Sequence, residues 1–181
     1  MRTIKILRSS ALLCLAILLV LSASACNLPS ITFHGPVWVT NLPVTFTGKT
    51  HAVEHHLSGG KSFTCAVDTT GALTVNEKGG VVFTIQGGTF TVDASGNCVE
   101  QAEGQGWRVE GQTELPGQPL LKFTTCNNGR YRAEGSAEYI VAAYQQDTQT
   151  SKLTGGITCY DAQNKPIAEF SLYLTATEPR K

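Results

Sequence analysis

Charged side chains are scarce in this chain: Asp, Glu, Lys and Arg make up 15% of its 181 residues, against about a quarter in an average soluble domain. That shortage argues against a coiled coil, a helical bundle with a charged outer face and a charged disordered tail. An excess of positive charge is missing as well. Basic and acidic side chains number 14 each, and Arg2, Lys5 and Arg8 fall in the first eight positions, so 11 basic and 14 acidic residues remain past position 25, a formal charge of −3. Nucleic acid as a partner has no electrostatic basis here. Nor is there a hydrophobic run long enough to span a bilayer: Ala11 to Ala25 covers 15 residues, where about 20 are needed. Threonine and glycine take the vacant places, with 21 and 18 of them after residue 25, which is the composition of strands and turns.

The first 25 residues have the layout of an export signal. Three basic residues precede an apolar stretch from Ala11 to Leu21, and the small residues Ser22, Ala23, Ser24 and Ala25 follow. Cys26 comes directly after Ala23-Ser24-Ala25, and this junction resembles the lipobox of bacterial lipoproteins, in which the cysteine becomes the first mature residue and is acylated on sulfur and nitrogen. Ala23 stands where that family most often has Leu. The resemblance implies a signal peptide over 1–25, palmitate-type acylation of Cys26 and attachment to a bacterial cell membrane on its extracytoplasmic side. Two or more acyl chains suffice for a stable anchor without a spanning helix.

Counting cysteines points the same way. Past the leader stand Cys26, Cys65, Cys98, Cys126 and Cys159, an odd number for an oxidising compartment. Acylating Cys26 leaves four, enough for two disulfides. The steps between these four are 33, 28 and 33 residues, which suggests two similar halves and favours Cys65 with Cys98 and Cys126 with Cys159. Four cysteines nevertheless allow three pairings.

Residues 26–36, with Pro29, Gly35 and Pro36, read as the acylated N-terminus and a tether, leaving 37–181 as one domain. In that domain turn signals recur at strand-length intervals: Asp68–Gly71, Asn76–Gly80, Gly87-Gly88, Asp93–Asn97, Gly104–Gly106, Leu115–Gly117, Asn127–Gly129, Gly155-Gly156 and Asp161–Pro166. Between them apolar residues alternate, as in Phe170, Leu172 and Leu174, or Val81, Phe83 and Ile85. Ala133 to Gln146 has residues that suit a helix, but Tyr139, Val141 and Ala143 alternate, and the all-β setting favours a long strand. The expectation is an all-β, disulfide-bonded antiparallel sandwich or barrel of roughly ten strands.

Chemistry-bearing residues are few. All four histidines lie between His34 and His56, and His51, Glu54, His55 and His56 form a cluster that could offer ligands to zinc or copper. On a strand His51, Val53 and His55 share one face, with Glu54 and His56 opposite. The competing expectation is a polar loop or edge strand leading into Ser58-Gly59-Gly60, a surface feature of little weight in stability. No serine sits in a nucleophile turn, and Glu100, Glu103, Glu110, Glu114, Glu134 and Glu138 alternate with apolar residues as solvent-facing strand positions do, so a secreted hydrolase is the weakest reading. Trp38, Trp107, Tyr131, Tyr139, Tyr144, Tyr160 and Tyr173 are the candidates for a recognition surface. The sequence thus points to a non-catalytic envelope lipoprotein without a cofactor that binds a ligand or a protein partner. An envelope metal-binding protein is the alternative.

Overall fold

The computed structural model describes residues 42–85, 87, 89–101, 106–114 and 119–179. The expected leader and tether, Cys26, His34 and Trp38 lie outside them, as do most of the expected turns at Gly104–Gly106 and Leu115–Gly117.

Ten strands follow one another: β1 (Val44–Ser58), β2 (Lys61–Val75), β3 (Gly80–Ile85), β4 (Phe90–Val92), β5 (Cys98–Glu100), β6 (Arg108–Thr113), β7 (Leu120–Cys126), β8 (Tyr131–Tyr144), β9 (Thr148–Tyr160) and β10 (Pro166–Pro179). Eight of them close into an antiparallel barrel in the order β1-β10-β9-β8-β7-β6-β3-β2, while β4 and β5 form a separate two-stranded hairpin. The architecture is therefore an up-and-down barrel with one hairpin inserted between β3 and β6. Closure is made by the first and last strands, from Thr47 opposite Thr175 to Glu54 opposite Ala168. A closed sheet leaves no continuous exposed edge along the barrel.

Period-two alternation decides what fills it. Phe46, Leu73, Phe83, Leu121, Tyr139, Leu153, Phe170, Leu172 and Leu174 all point inward and are essentially inaccessible. Eight strands enclose a space just wide enough for side chains to fill, and these residues fill it. Phe46 meets Tyr139 at 5.5 Å between ring centres, and Phe83 meets Phe170 edge-on at 5.9 Å. Burial, followed by the charge of Glu178, holds the Tyr139 phenol above its ordinary pKa. Outward positions such as Thr45, Thr47, Lys49, His51, Asp68, Thr70, Lys152 and Thr154 are polar and half-buried or exposed, unlike the apolar band of a lipid-facing barrel.

Three hairpins use one turn device. Asn76, Asp93 and Asp161 each accept, on side-chain Oδ1, the backbone N–H groups two and four residues on, at 2.8–2.9 Å. In each, the fourth residue, Gly79, Gly96 or Asn164, has a left-handed backbone, the conformation that Gly and Asn tolerate best. Asp93 also accepts from the Asn97 amide, and these bonds lower its pKa.

Two expected turns are absent. Asp68–Gly71 lies within β2 and Gly155-Gly156 within β9. Their inward glycines serve space: a Cβ on Gly71 would come within 2.6 Å of the Phe83 ring, and one on Gly155 within 2.3 Å of the Ser136 carbonyl oxygen. The long strand expected over Ala133 to Gln146 is β8.

Disulfides join Cys65 to Cys98 and Cys126 to Cys159. The equal spacing does not mark two equivalent halves, since the second bridge ties β7 to β9 within the barrel whereas the first ties the inserted hairpin to β2.

Candidate functional site

The two ends of the barrel differ. At the end where β1 finishes and β2 begins, the strands give way to the inserted hairpin and to the β7–β8 and β9–β10 turns. The insertion leaves the wall at Ile85 and returns at Trp107, whose carbonyl accepts the Ile85 N–H at 3.1 Å. Beneath it lies the side chain of Glu54, 4% exposed. Its carboxylate accepts hydrogen bonds from the Trp107 indole N–H, from His56 Nε2 at 3.0 Å and from the Phe90 backbone N–H at 3.0 Å. A buried carboxylate without partners would be costly; three donors from three separate parts of the chain satisfy this one, and it fastens the insertion to the barrel mouth.

The histidine cluster is divided by strand geometry. His51 and His55 face outward, where His51 Nδ1 meets Asp68 at 2.7 Å and His55 Nε2 meets Glu169 at 2.9 Å. Glu54 and His56 face inward. The four residues expected to share a metal site do not converge, and among the described residues no group of three or more His, Cys, Asp or Glu is placed to hold a metal ion. The segment is also no surface loop: β1 pairs with β2 through the whole of it, as far as Ser58, and Glu54 is a core polar residue.

Beside the hairpin opens a cleft of about 540 Å³ lined by Trp107, Arg108, Asn127, Asn128, Arg130 and Tyr131, with Thr89 and Gln101 contributed by the insertion. A second cleft, about 380 Å³, adjoins it and shares Arg130 and Tyr131, with Arg132 and Tyr160 on its far side. All three arginines among the described residues line these clefts. Two are neutralised locally: Arg108 holds Glu110 through both Nε (2.9 Å) and Nη2 (2.8 Å), and Arg132 pairs with Glu134 while its guanidinium lies 4.5 Å from the Tyr160 ring centre. Arg130 makes no ion pair among the described residues, and its guanidinium sits 5.3 Å above the Tyr131 ring. Stacking on an aromatic face suits arginine's flat, weakly hydrated cation.

The β7–β8 turn sets these groups in place. Asn128 and Gly129, with φ of 57° and 81°, form its two central residues, and the Arg130 N–H reaches the Asn127 carbonyl at 3.3 Å. This is the primed turn that Asn-Gly favours. Asn127 too is left-handed, at φ 49°, and is clamped to Arg108 on both sides: its N–H donates to the Arg108 carbonyl at 2.7 Å, and its Oδ1 accepts the Arg108 N–H at 3.1 Å. Non-glycine residues in this conformation are uncommon, and this one lines the cleft.

Of the seven aromatic candidates, Trp107 forms part of the floor of the larger cleft, 6.0 Å from Tyr131 between ring centres; Tyr131 is half-buried between the two clefts, and Tyr160 is half-buried in the second. Tyr139 belongs to the core, and Tyr173 stands on the outer wall, 63% exposed. Of the six glutamates weighed for catalysis, Glu110, Glu114 and Glu134 are engaged with Arg108, Lys122 and Arg132. The arginines and the Asn127-Asn128 pair carried no signal as site residues in the sequence. The turn motif was legible, but its nearness to Trp107 was not.

No family model matches this chain, and no curated protein matches it. Among solved structures it is similar to a crystal structure from Bacteroides ovatus, described as structural genomics of unknown function, with 10% identity and a TM-score of 0.38 over 75% of this chain and 41% of that one. The chain thus spans less than half the length of that neighbour.

Proposed function

We propose that this protein is a bacterial cell-envelope lipoprotein, anchored in the membrane by acylated Cys26, whose barrel is a non-catalytic binding domain that uses the cleft end. The anchor rests on the junction Ala23-Ser24-Ala25-Cys26. It is supported by the disulfides, which engage Cys65, Cys98, Cys126 and Cys159 and leave Cys26 no cysteine of the barrel to pair with. The observation that carries the binding role is the contrast between a filled barrel interior and a rim on which arginine, aromatic and amide side chains gather. Recognition sites combine apolar surface with a few well-placed polar groups, and this rim does so. β1 starts, at Val44, at the end of the barrel opposite the cleft.

Two measurements test this reading. Mass spectrometry of the detergent-extracted protein should give a mature chain that begins at Cys26 and carries acyl mass, and Cys26→Ala should release the protein from the membrane. Mature protein with an unmodified thiol at Cys26 overturns the anchor. For the cleft, the full chain in detergent is applied to an array of glycans, lipids and peptides, beside the Tyr131→Ala variant. Retention that depends on Tyr131 supports the rim as the binding surface, and retention indifferent to it counts against that role.

A further inference from the structure

We infer that the larger cleft recognises a saccharide that carries a carboxylate, with Arg130 as the charge-reading residue; this rests on the cleft's being the binding surface proposed above. Three features of the cleft converge on that ligand chemistry. The first is charge. The chain past its leader is net acidic, at −3, yet the described residues lining this cleft include two arginines and no Asp or Glu. Arg108 is already bound to Glu110 from the barrel wall, so among the described residues one cation is left over, on Arg130. A single unengaged guanidinium matches a singly charged anion, and its flat fork bonds a carboxylate through two parallel N–H donors. Its position over Tyr131 limits its freedom before any ligand arrives, which reduces the entropy lost on binding.

The second feature is the kind of polar group that surrounds the charge. Asn128 and Gln101 bring side-chain amides and Thr89 a hydroxyl, each able to donate and accept, while Asn127, whose Oδ1 serves the Arg108 N–H, adds its amide N–H donors. Such a mixture meets the hydroxyls of a sugar ring, which present donors and acceptors around their whole edge. An apolar acid would leave those amides unpaired and desolvated. The third is apolar surface: the half-buried Tyr131 ring, backed at 6.0 Å by the buried Trp107 indole, offers an aromatic edge for the apolar face of a pyranose. The cleft's volume of about 540 Å³ lies within the range of small-molecule sites.

The test uses Trp107 as reporter. The chain has two tryptophans, so Trp38→Phe in the full chain in detergent leaves Trp107 emission as the signal from the cleft. The probes are an oligogalacturonate, a hyaluronan hexasaccharide and a sialylated trisaccharide, each beside its neutral counterpart, together with inorganic phosphate. At least one acidic member should change Trp107 emission saturably and bind tenfold or more tightly than its neutral partner. Arg130→Gln should weaken that binding at least tenfold, equivalent to about 1.4 kcal/mol, and abolish the preference over the neutral form, while the unchanged circular dichroism of the variant shows that the barrel is folded. Neutral and acidic partners bound equally, with Arg130→Gln indifferent, would overturn the inference yet keep the cleft as a binding site. Phosphate binding alone would overturn the saccharide while retaining the charge. Silence from every probe would overturn the inference, and the array with Tyr131→Ala then judges the cleft separately.

Discussion

Cys126 and Cys159 are both fully buried, and their bridge spans from β7 to β9 past the start of β8, strands that extended ladders already hold together. Cys65 is buried, but its partner Cys98 is exposed, on a three-residue strand whose described ladder is the short one with β4. Both bridges close loops of the same length, 33 residues, and a chain-entropy account treats them alike. Their settings do not. The barrel is held redundantly, by ladders, core and disulfide, whereas the described residues tie the inserted hairpin by one bridge, by the bonds that Glu54 makes to Phe90 and Trp107 and by the Phe63 ring beside Gly96. Equal spacing in sequence therefore says nothing of equal weight in the fold, and the cleft lies beside the more weakly held part.

Removing the barrel bridge should have the largest effect. Cys126→Ala with Cys159→Ala should lower unfolding free energy by about 3–4 kcal/mol, and more if the buried sites fail to collapse, as measured by urea denaturation. Glu54→Ala comes next. It strands the Trp107 N–H, His56 and the Phe90 N–H together, and a loss of about 3 kcal/mol is expected, accompanied by a shift in Trp107 emission. Little change in either would mean that the insertion is held by something other than the carboxylate.

Cutting the hairpin bridge sharpens the comparison most directly. In Cys65→Ala with Cys98→Ala the hairpin can detach while the barrel stays closed, so amide exchange over 90–100 should accelerate tenfold or more. Global stability should fall by less than about 2 kcal/mol, because the folded state is loosened along with the unfolded one. A loss equal to that of the barrel bridge would break the distinction. The smallest effect is expected on the outer wall. His51 and Asp68 are 48% and 87% exposed, and His51→Ala should cost less than about 0.5 kcal/mol, whereas His56→Ala, farther along β1 on the inner face beside Glu54, should cost measurably more by the same denaturation assay.

Much of the fold was readable residue by residue, because its causes are local. Asx residues followed by Gly or Asn at the fourth turn position marked three hairpins, and alternation along Phe170, Leu172 and Leu174 marked a strand with one buried face. Gly71 and Gly155 misled for a physical reason: a glycine kept for close approach of neighbouring strands looks the same in sequence as one kept for a turn. Strand periodicity also put His51 and His55 on one face and Glu54 and His56 on the other, but it left two imidazoles free to share a metal; the carboxylates that each histidine meets, Asp68, Glu169 and Glu54, came only with the fold.

Tertiary structure alone decided the rest. Closure by β1 against β10 joins residues more than a hundred positions apart, and alternation on each strand is the same whether a sheet curls into a barrel or packs as a sandwich. The identity of Glu54 as a core residue depended on Trp107, 53 positions away, since a carboxylate is buried only where distant donors happen to meet it. The cleft likewise gathers an inserted hairpin and the β7–β8 turn, whose Arg130 and Trp107 have nothing in common along the chain. Local sequence fixes periodicity and turn chemistry because these depend on neighbours within a few residues; a site made of long-range contacts comes into being only when the barrel closes.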